Sequence, residues 1–525
     1  MSGGARELRL AAVACAVVLA IYAALVARFE WICDDAFISL RYARNLVQGR
    51  GLVFNPGETP PVEGFTNLLW VLWLAPFERA GLDTPLVARW SAAACGAALL
   101  VLLVRSLANG GGRWLAAGCA ALFLATLPPF AVWSTSGLET LPFTLALFGA
   151  FCALVAERAR PWLAIASALA AVLLRADGFA FVALALAAAG LASWIERSRE
   201  RGRAVATVAA AIALAVVAHF AWRRTYFGAW TPNTARVKVE LGAQALEFGA
   251  KYVATFVTSF PSVLIALVFA CVQALRRRDL PAIAALLVVG GVFGYATLVG
   301  GDFMAMGRFL VPALPFLAFA FGRALGVGAG ASRAQLAASL ALVASCVALS
   351  LPAGWNVHVV PARVREAFRF RFNNPQFLSE FEQWVMMRDQ ARLWSFLGRA
   401  LKARTQPGES LVVGTIGATG YYSDLWIFDP YGLVNREEFA PLTEQARRAP
   451  GHQRRIPLET FLAQRPTYLE ASLVLRDKPY SDVRPGAIPG GLRNNPLVAP
   501  QWLEVQDVEG MPGPLVLRLV RYVPR

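Results

Sequence analysis

Two adjacent acids, Asp34 and Asp35, follow the first long apolar stretch of the chain in the segment Trp31-Ile32-Cys33-Asp34-Asp35-Ala36-Phe37. A carboxylate at the edge of a lipid-embedded span is costly unless it faces a watery cavity and does something there. Such an acid can take the proton of an attacking hydroxyl as a general base. The competing reading is that one acid caps a helix expected over residues 36–48 and ended by Gly49. A cap needs one acid, however, and there are two. On that helix Arg41, Arg44 and Gln48 recur at i, i+3 and i+7 and share a face suited to phosphate, or to ordinary lipid-headgroup contact.

Further candidates lie in polar segments between apolar ones. Glu63, before a glycine and an aromatic helix, is suited to orient an acceptor hydroxyl, or is a solvated loop carboxylate. Ser136-Gly137-Leu138-Glu139 fits a capping box at a helix start. Arg175 and Asp177 sit in a tight reversal, where they either satisfy the turn or hold a phosphate. Thr231-Pro232 opens a short helix with Arg236 and Lys238 just inside, a plausible anion cradle. In Gly300-Gly301-Asp302, paired glycines allow close backbone approach beside a second acid, with Arg308 six residues on. His219, His358 and His452 are too scattered to suggest a zinc site or a triad.

The elements that must position these residues are membrane helices. Of the 525 residues 57% are hydrophobic and 16% charged, and the mean hydropathy is +0.51, far from a soluble globular average. Apolar runs are expected to span at roughly 9–27, 86–107, 114–133, 138–156, 161–174, 178–195, 204–222, 253–275, 281–299, 308–324 and 334–352, about eleven crossings. Residues 66–82 and 240–252 are expected to be interfacial helices instead. The formal charge of +16 does not point to nucleic acid, because the arginines sit at span ends and no basic patch is interleaved with aromatics. Arg105 and Arg113, residues 157–160, 196–203, Arg276-Arg277-Arg278, and Arg323 with Arg333 all fall on one side, which the positive-inside bias makes cytoplasmic. Every candidate residue above then falls on the other side, together with the tail.

The seven cysteines lie before residue 353, mostly within apolar runs, with no disulfide framework or zinc spacing. From residue 354 the long apolar runs stop. Residues 410–429 read as a strand, a Gly-rich turn, a short helix and a second strand. The chain is therefore expected to divide into an α-helical polytopic membrane part, 1–353, and an extracytoplasmic α/β domain, 354–525. No Gly-rich nucleotide loop or large cytoplasmic domain is present, so no nucleotide cofactor is expected.

The motifs DDAFISLRYARNLVQGRGLVFNPGE and VEGFTNLLW, with SGLET, RADGF, YFGAWTPNTARVK, GGDFM, RFLVPALP and GYYSDLWIFDPYGL, resemble those of bacterial membrane glycosyltransferases of the GT-C fold. Within that class they are most similar to terminal arabinofuranosyltransferases of mycobacterial arabinan and to related pilin arabinosyltransferases. The resemblance runs from residue 34 to about 432. It implies a bacterial inner-membrane enzyme that uses a polyprenyl-phosphate sugar, arabinofuranose being the nearest match, with a glycan or protein acceptor. It also implies catalysis on the non-cytoplasmic face and an acid of the first outer loop as base, which by position is Asp34 or Asp35; Arg175, Lys238 and Asp302 carry over as further site residues. Two carboxylates are few ligands for Mg²⁺ or Ca²⁺, so a divalent cation stays an open question. A lipid-linked-sugar transporter is the rival reading, but it calls for polar residues through the middle of several helices and for repeat symmetry, which this chain lacks.

Overall fold

Apolar patterning becomes helix along the first two thirds of the chain. The computed structural model describes residues 3–108, 113–238, 242–327, 331–371, 376–439, 454–476, 484–511 and 513–523. The helices are α1 (Gly3–Arg28), α2 (Asp34–Val47), α3 (Leu68–Arg79), α4 (Thr84–Ala108), α5 (Trp114–Ala125), α6 (Pro128–Ser134), α7 (Thr140–Val155), α8 (Pro161–Leu174), α9 (Gly178–Ile195), α10 (Arg199–Phe227), α11 (Asn233–Lys238), α12 (Ala243–Ser259), α13 (Pro261–Arg277), α14 (Leu280–Leu298), α15 (Leu314–Ala324) and α16 (Arg333–Ser350). By length and composition five are long and apolar enough to cross a membrane, or up to seven if two bent pairs each count as one span. The first part of the chain is thus a multi-pass helical bundle.

The stretches expected to span are helical, but several are short or broken. α7 and α8 are shorter apolar helices, and the stretch 308–324 is a 3-10 turn, Arg308–Ala313, followed by α15. α5 and α6 are bent by 69° at Thr126-Leu127, ahead of Pro128-Pro129. The expected boundary between an interfacial helix at 240–252 and a span from 253 is not where the break falls. α12 runs through it to Ser259, and the chain turns by 95° at Phe260, whose φ of −127° and ψ of 71° leave the helical region. Pro261 explains the shift: its ring excludes helical conformation in the residue before it, and it has no N–H for the ladder.

Beyond residue 355 come α17 (Ala362–Glu366), α18 (Glu380–Lys402) and α19 (Ile416–Ser423) with five strands. These are β1 (Ser410–Val412), β2 (Trp426–Phe428), β3 (Tyr468–Leu475), β4 (Leu503–Val508) and β5 (Leu515–Tyr522), in the order β2-β1-β3-β5-β4. β1 is parallel to β2 and β3, while β5 is antiparallel to β3 and β4. The unit β1-α19-β2 is the strand, helix and strand expected over 410–429. α18 starts at a capping box formed by Ser379 and Glu382 and packs on α19, which packs on α2. One hydrophobic core joins the bundle to the tail, from Val18 and Phe37 through Leu411 and Ile427 to Leu517.

Candidate active site

α2 decides where the two acids point. Cys33, with an extended backbone, is its N-cap, so Asp34 and Asp35 are the first two helical residues and neither caps this helix through its side chain. This corrects the placement of the helix start at residue 36. The start is pinned to the loop after α6 by the Cys33 N–H, which donates to Ser136 O at 2.8 Å. Gly137, at φ +77°, permits that approach, since a Cβ there would stand 3.1 Å from the side chains of both Ala36 and Ile32.

Successive side chains diverge by about 100° around a helix, and the acids separate accordingly. Asp34 turns to the tail and accepts the N–H of Ala418 at 2.8 Å and of Gly417 at 3.3 Å, the open donors in the first turn of α19. Gly417 is required for the contact, because a Cβ there would lie 2.0 Å from the Asp34 carbonyl oxygen. Burial lifts the Asp34 carboxyl to about 7 against the two N–H groups that lower it, with the Asp35 charge adding to the rise. Asp35 lines a cavity of about 500 Å³ between the bundle and the tail.

Three arginines line the same cavity, and each is tethered through Nε by an acid. Arg175 makes a bidentate pair with Asp177 at 2.8 and 2.7 Å. Arg308 donates to Asp302 at 2.6 Å. Arg223 donates to Glu63 at 2.7 Å, both side chains being almost fully buried, and its Nη2 meets His219. The terminal nitrogens left over, Nη1 of Arg175 and Arg223 and both Nη of Arg308, have no hydrogen-bond partner among the described residues. Burial opposes ionisation of Asp177, but the Arg175 charge and the hydrogen bonds from Arg175 and Tyr295 overcome it and hold the carboxyl below its ordinary range. Asp35, Arg175 and Glu139 all lie within electrostatic reach of Arg308.

Six of the eleven expected site residues therefore converge here, Asp35, Arg175, Asp177 and Arg308 on the cavity and Glu63 and Asp302 behind it, while Asp34 turns away to α19. Glu63, Asp177 and Asp302 hold arginines in place; for Asp177 this is the Arg175 pair that the tight reversal suggested, and Glu63, read as orienting an acceptor hydroxyl, is engaged by Arg223. The expected phosphate face of α2 is not available. Arg41 is 2% exposed and its guanidinium donates to Phe54 O at 2.7 Å and to Gly420 O and Leu425 O at 2.6 Å. Arg44 donates to Tyr421 O at 2.7 Å and lies over the Tyr421 ring. Both clamp the tail because the i, i+3 face meets α19, not a ligand. Arg236 is bound to Asn233 and to Asn435 O, outside the cavity. Lys238 ends α11, and its side chain lies outside the described residues, as does His452.

Asn67, Ser39 and Arg223 of the cavity were not singled out from the sequence, and Glu139 was read only as part of a capping box. Asn67 donates to Glu139 at 2.7 Å and accepts from Ser39 at 3.1 Å, making a chain along one wall, and Arg223 completes the opposite one. Glu139 is the N-cap residue of α7 without a side-chain cap bond, so the expected capping box at Ser136 does not form; the Ser136 hydroxyl donates to Trp133 O instead. A carboxylate at a span end on the same side as Asp35 was the signal available for Glu139. Among the described residues no three His, Cys, Asp or Glu are grouped to hold a metal ion. Asp177, Glu63 and Asp302 are each engaged by an arginine, Glu139 by the Asn67 amide and Asp34 by backbone N–H groups.

Residues 383–514 match a family described only as a domain of unknown function, DUF8728. A terminal beta-(1->2)-arabinofuranosyltransferase of Mycobacterium tuberculosis is 28% identical over 335 residues, 55% of this chain and 52% of that protein. The chain thus matches about half the length of that relative. The crystal structure of ArnT from Cupriavidus metallidurans in the apo state superposes with a TM-score of 0.54 at 14% identity, and the form bound to undecaprenyl phosphate with 0.51 at 13%, each over 97% of both chains. At that identity the likeness establishes the fold.

Proposed function

On a chain with the fold of the GT-C membrane glycosyltransferases, we propose an integral-membrane enzyme that moves arabinofuranose from a polyprenyl-phosphate donor to a hydroxyl of a cell-envelope glycan or protein. In this reading residues 1–353 hold donor and base, residues 354–525 close the site from the non-cytoplasmic side of the inner membrane, and the membrane lipids deliver the donor. The observation that carries it is one cavity in which Asp35 faces three acid-tethered guanidiniums with donors to spare. The identity with a terminal arabinofuranosyltransferase and the fold shared with a protein crystallised with undecaprenyl phosphate support the sugar and the lipid.

The chemistry follows from the residues. The acceptor O–H gives its proton to the Asp35 carboxylate as its oxygen attacks the anomeric carbon from the face opposite the phosphate, so the new glycosidic bond has inverted configuration. The bond from that carbon to the phosphate oxygen breaks, and the phosphate leaves with the electron pair. Arg308 and Arg175, with Nε fixed, present planar donors to the growing phosphate charge.

The test is transfer by the purified protein in lipid nanodiscs, with polyprenyl-phosphate arabinofuranose and a nucleotide sugar offered side by side. Product from the lipid donor is expected. Product from the nucleotide sugar alone overturns the reading, a hexose lipid outperforming the pentose moves the assignment to another sugar, and passage of the lipid-linked sugar across the bilayer without transfer points to a transporter.

A further inference from the structure

α2 separates two cavities. The second, of about 270 Å³, lies behind it, where Phe37 meets the N-terminal end of α4 and the exposed face of α18. Arg89 of α4 and Arg392 and Arg399 of α18 converge on it, and Asp83 is the one acid among its described lining residues. Asp83 is occupied, accepting the Leu86 N–H at 3.2 Å. Arg89 is paired through Nη2 with Glu30, but its buried Nε has no partner among the described residues. Arg399 lies 4.4 Å from the centre of the Tyr422 ring. Arg392 is exposed and makes no hydrogen bond or ion pair among the described residues, although it lies within electrostatic reach of Arg89.

Three cations gathered at one cavity with a single, already occupied acid leave a local excess of positive charge. An anion offsets that excess. The rim of this cavity says which kind: Leu86 and Trp90 on the membrane-crossing α4 are 42% and 56% exposed, and Leu393 and Phe396 on α18 are 42% and 57% exposed. Apolar side chains next to arginines on an exposed helix face are the pattern of a helix lying in the bilayer interface, with cations at phosphate depth.

We propose that this cavity binds the headgroup of an anionic membrane phospholipid, with Arg89, Arg392 and Arg399 around its phosphate and its acyl chains along Leu86, Trp90 and Phe396. The lipid would sit between the bundle and the tail and brace α2 from the side away from Asp35. It is independent of the transfer reaction, and its test needs no substrate.

The full-length protein is taken from nanodiscs containing equal amounts of phosphatidylglycerol and phosphatidylcholine, and retained lipid is read by native mass spectrometry. One phosphatidylglycerol per chain is expected. Arg392→Ala lowers its retention about fivefold, the scale for one cation at a lipid surface, and Arg392→Glu lowers it further. Arg388→Ala leaves it unchanged, because Arg388 is held by Asp389 at 2.8 Å and does not line the cavity. Because Arg392 is exposed and unpaired, these variants fold. Equal retention of the two lipids, or retention unaffected in Arg392→Glu, overturns the proposal. Displacement of the lipid by millimolar inorganic phosphate assigns the site to a soluble anion and also overturns it.

Discussion

Asp34 and Asp35 are adjacent and chemically identical, so replacing each separates docking from catalysis. In Asp34→Ala the N–H groups of Gly417 and Ala418 lose their acceptor. Each orphaned donor costs about 1–3 kcal/mol, so α19 loses at least about 2 kcal/mol of docking free energy, a factor of roughly 30 in its opening equilibrium. Amide hydrogen exchange over residues 416–423 reads that factor directly. Asp34→Asn is milder, since an amide oxygen still accepts, and a carboxyl lifted to about 7 already tolerates its neutral form at neutral pH. The sign for the wild type follows: the folded state binds the proton more tightly than the unfolded chain, whose Asp titrates near 3.9, so this contribution is complete below that value and lost as pH rises through about 7. The melting temperature of the wild type should fall from pH 6 to 8 more than that of Asp34→Asn. Asp35→Asn should leave exchange of α19 unchanged and reduce transfer by about 10²–10⁴, the range for a lost general base. Full transfer by Asp35→Asn, or loss of transfer in Asp34→Asn while α19 stays protected, refutes the division of labour.

Arg308→Lys keeps the charge but loses the Nε tether to Asp302 and the planar pair of terminal donors; kcat/KM for the lipid donor should drop about 10-fold or more, and an effect confined to acceptor KM counts against a phosphate role. Glu63→Gln leaves Arg223 charged and buried, at a cost of about 3–5 kcal/mol, visible as a lower melting temperature; Glu63→Gln with Arg223→Met should recover much of it, and failure to do so argues against the pair as the cause. Cysteine placed at residue 406, exposed in the tail, should react with an impermeant reagent in intact cells and cysteine at 200, also exposed, should not, whereas the opposite pattern inverts the proposed sidedness.

Local patterning was enough for the helices and for the β1-α19-β2 unit, and it singled out Asp35, Arg175 and Arg308, which line one cavity. Hydrophobic run lengths, prolines and glycines act within a few residues of themselves, and the polar segments carrying Asp35, Arg175 and Arg308 alternate along the chain with the arginine-rich ones. Proline also explains the error at residues 240–275, where the apolar run is continuous and only the backbone restriction at Phe260 shows the break. Partner choice was not legible. Arg41 and Arg44 read as a free cationic face until the tail covers it, and nothing around Glu63 announces Arg223, 160 residues away, just as nothing around Asp34 announces Ala418, 384 residues away. Adjacent carboxylates are equivalent in one dimension. They become a helix cap and a cavity acid only when α2 rotates one toward α19 and the other toward the arginines, because ion pairs and hydrogen bonds depend on distance through space, which packing sets and spacing along the chain does not.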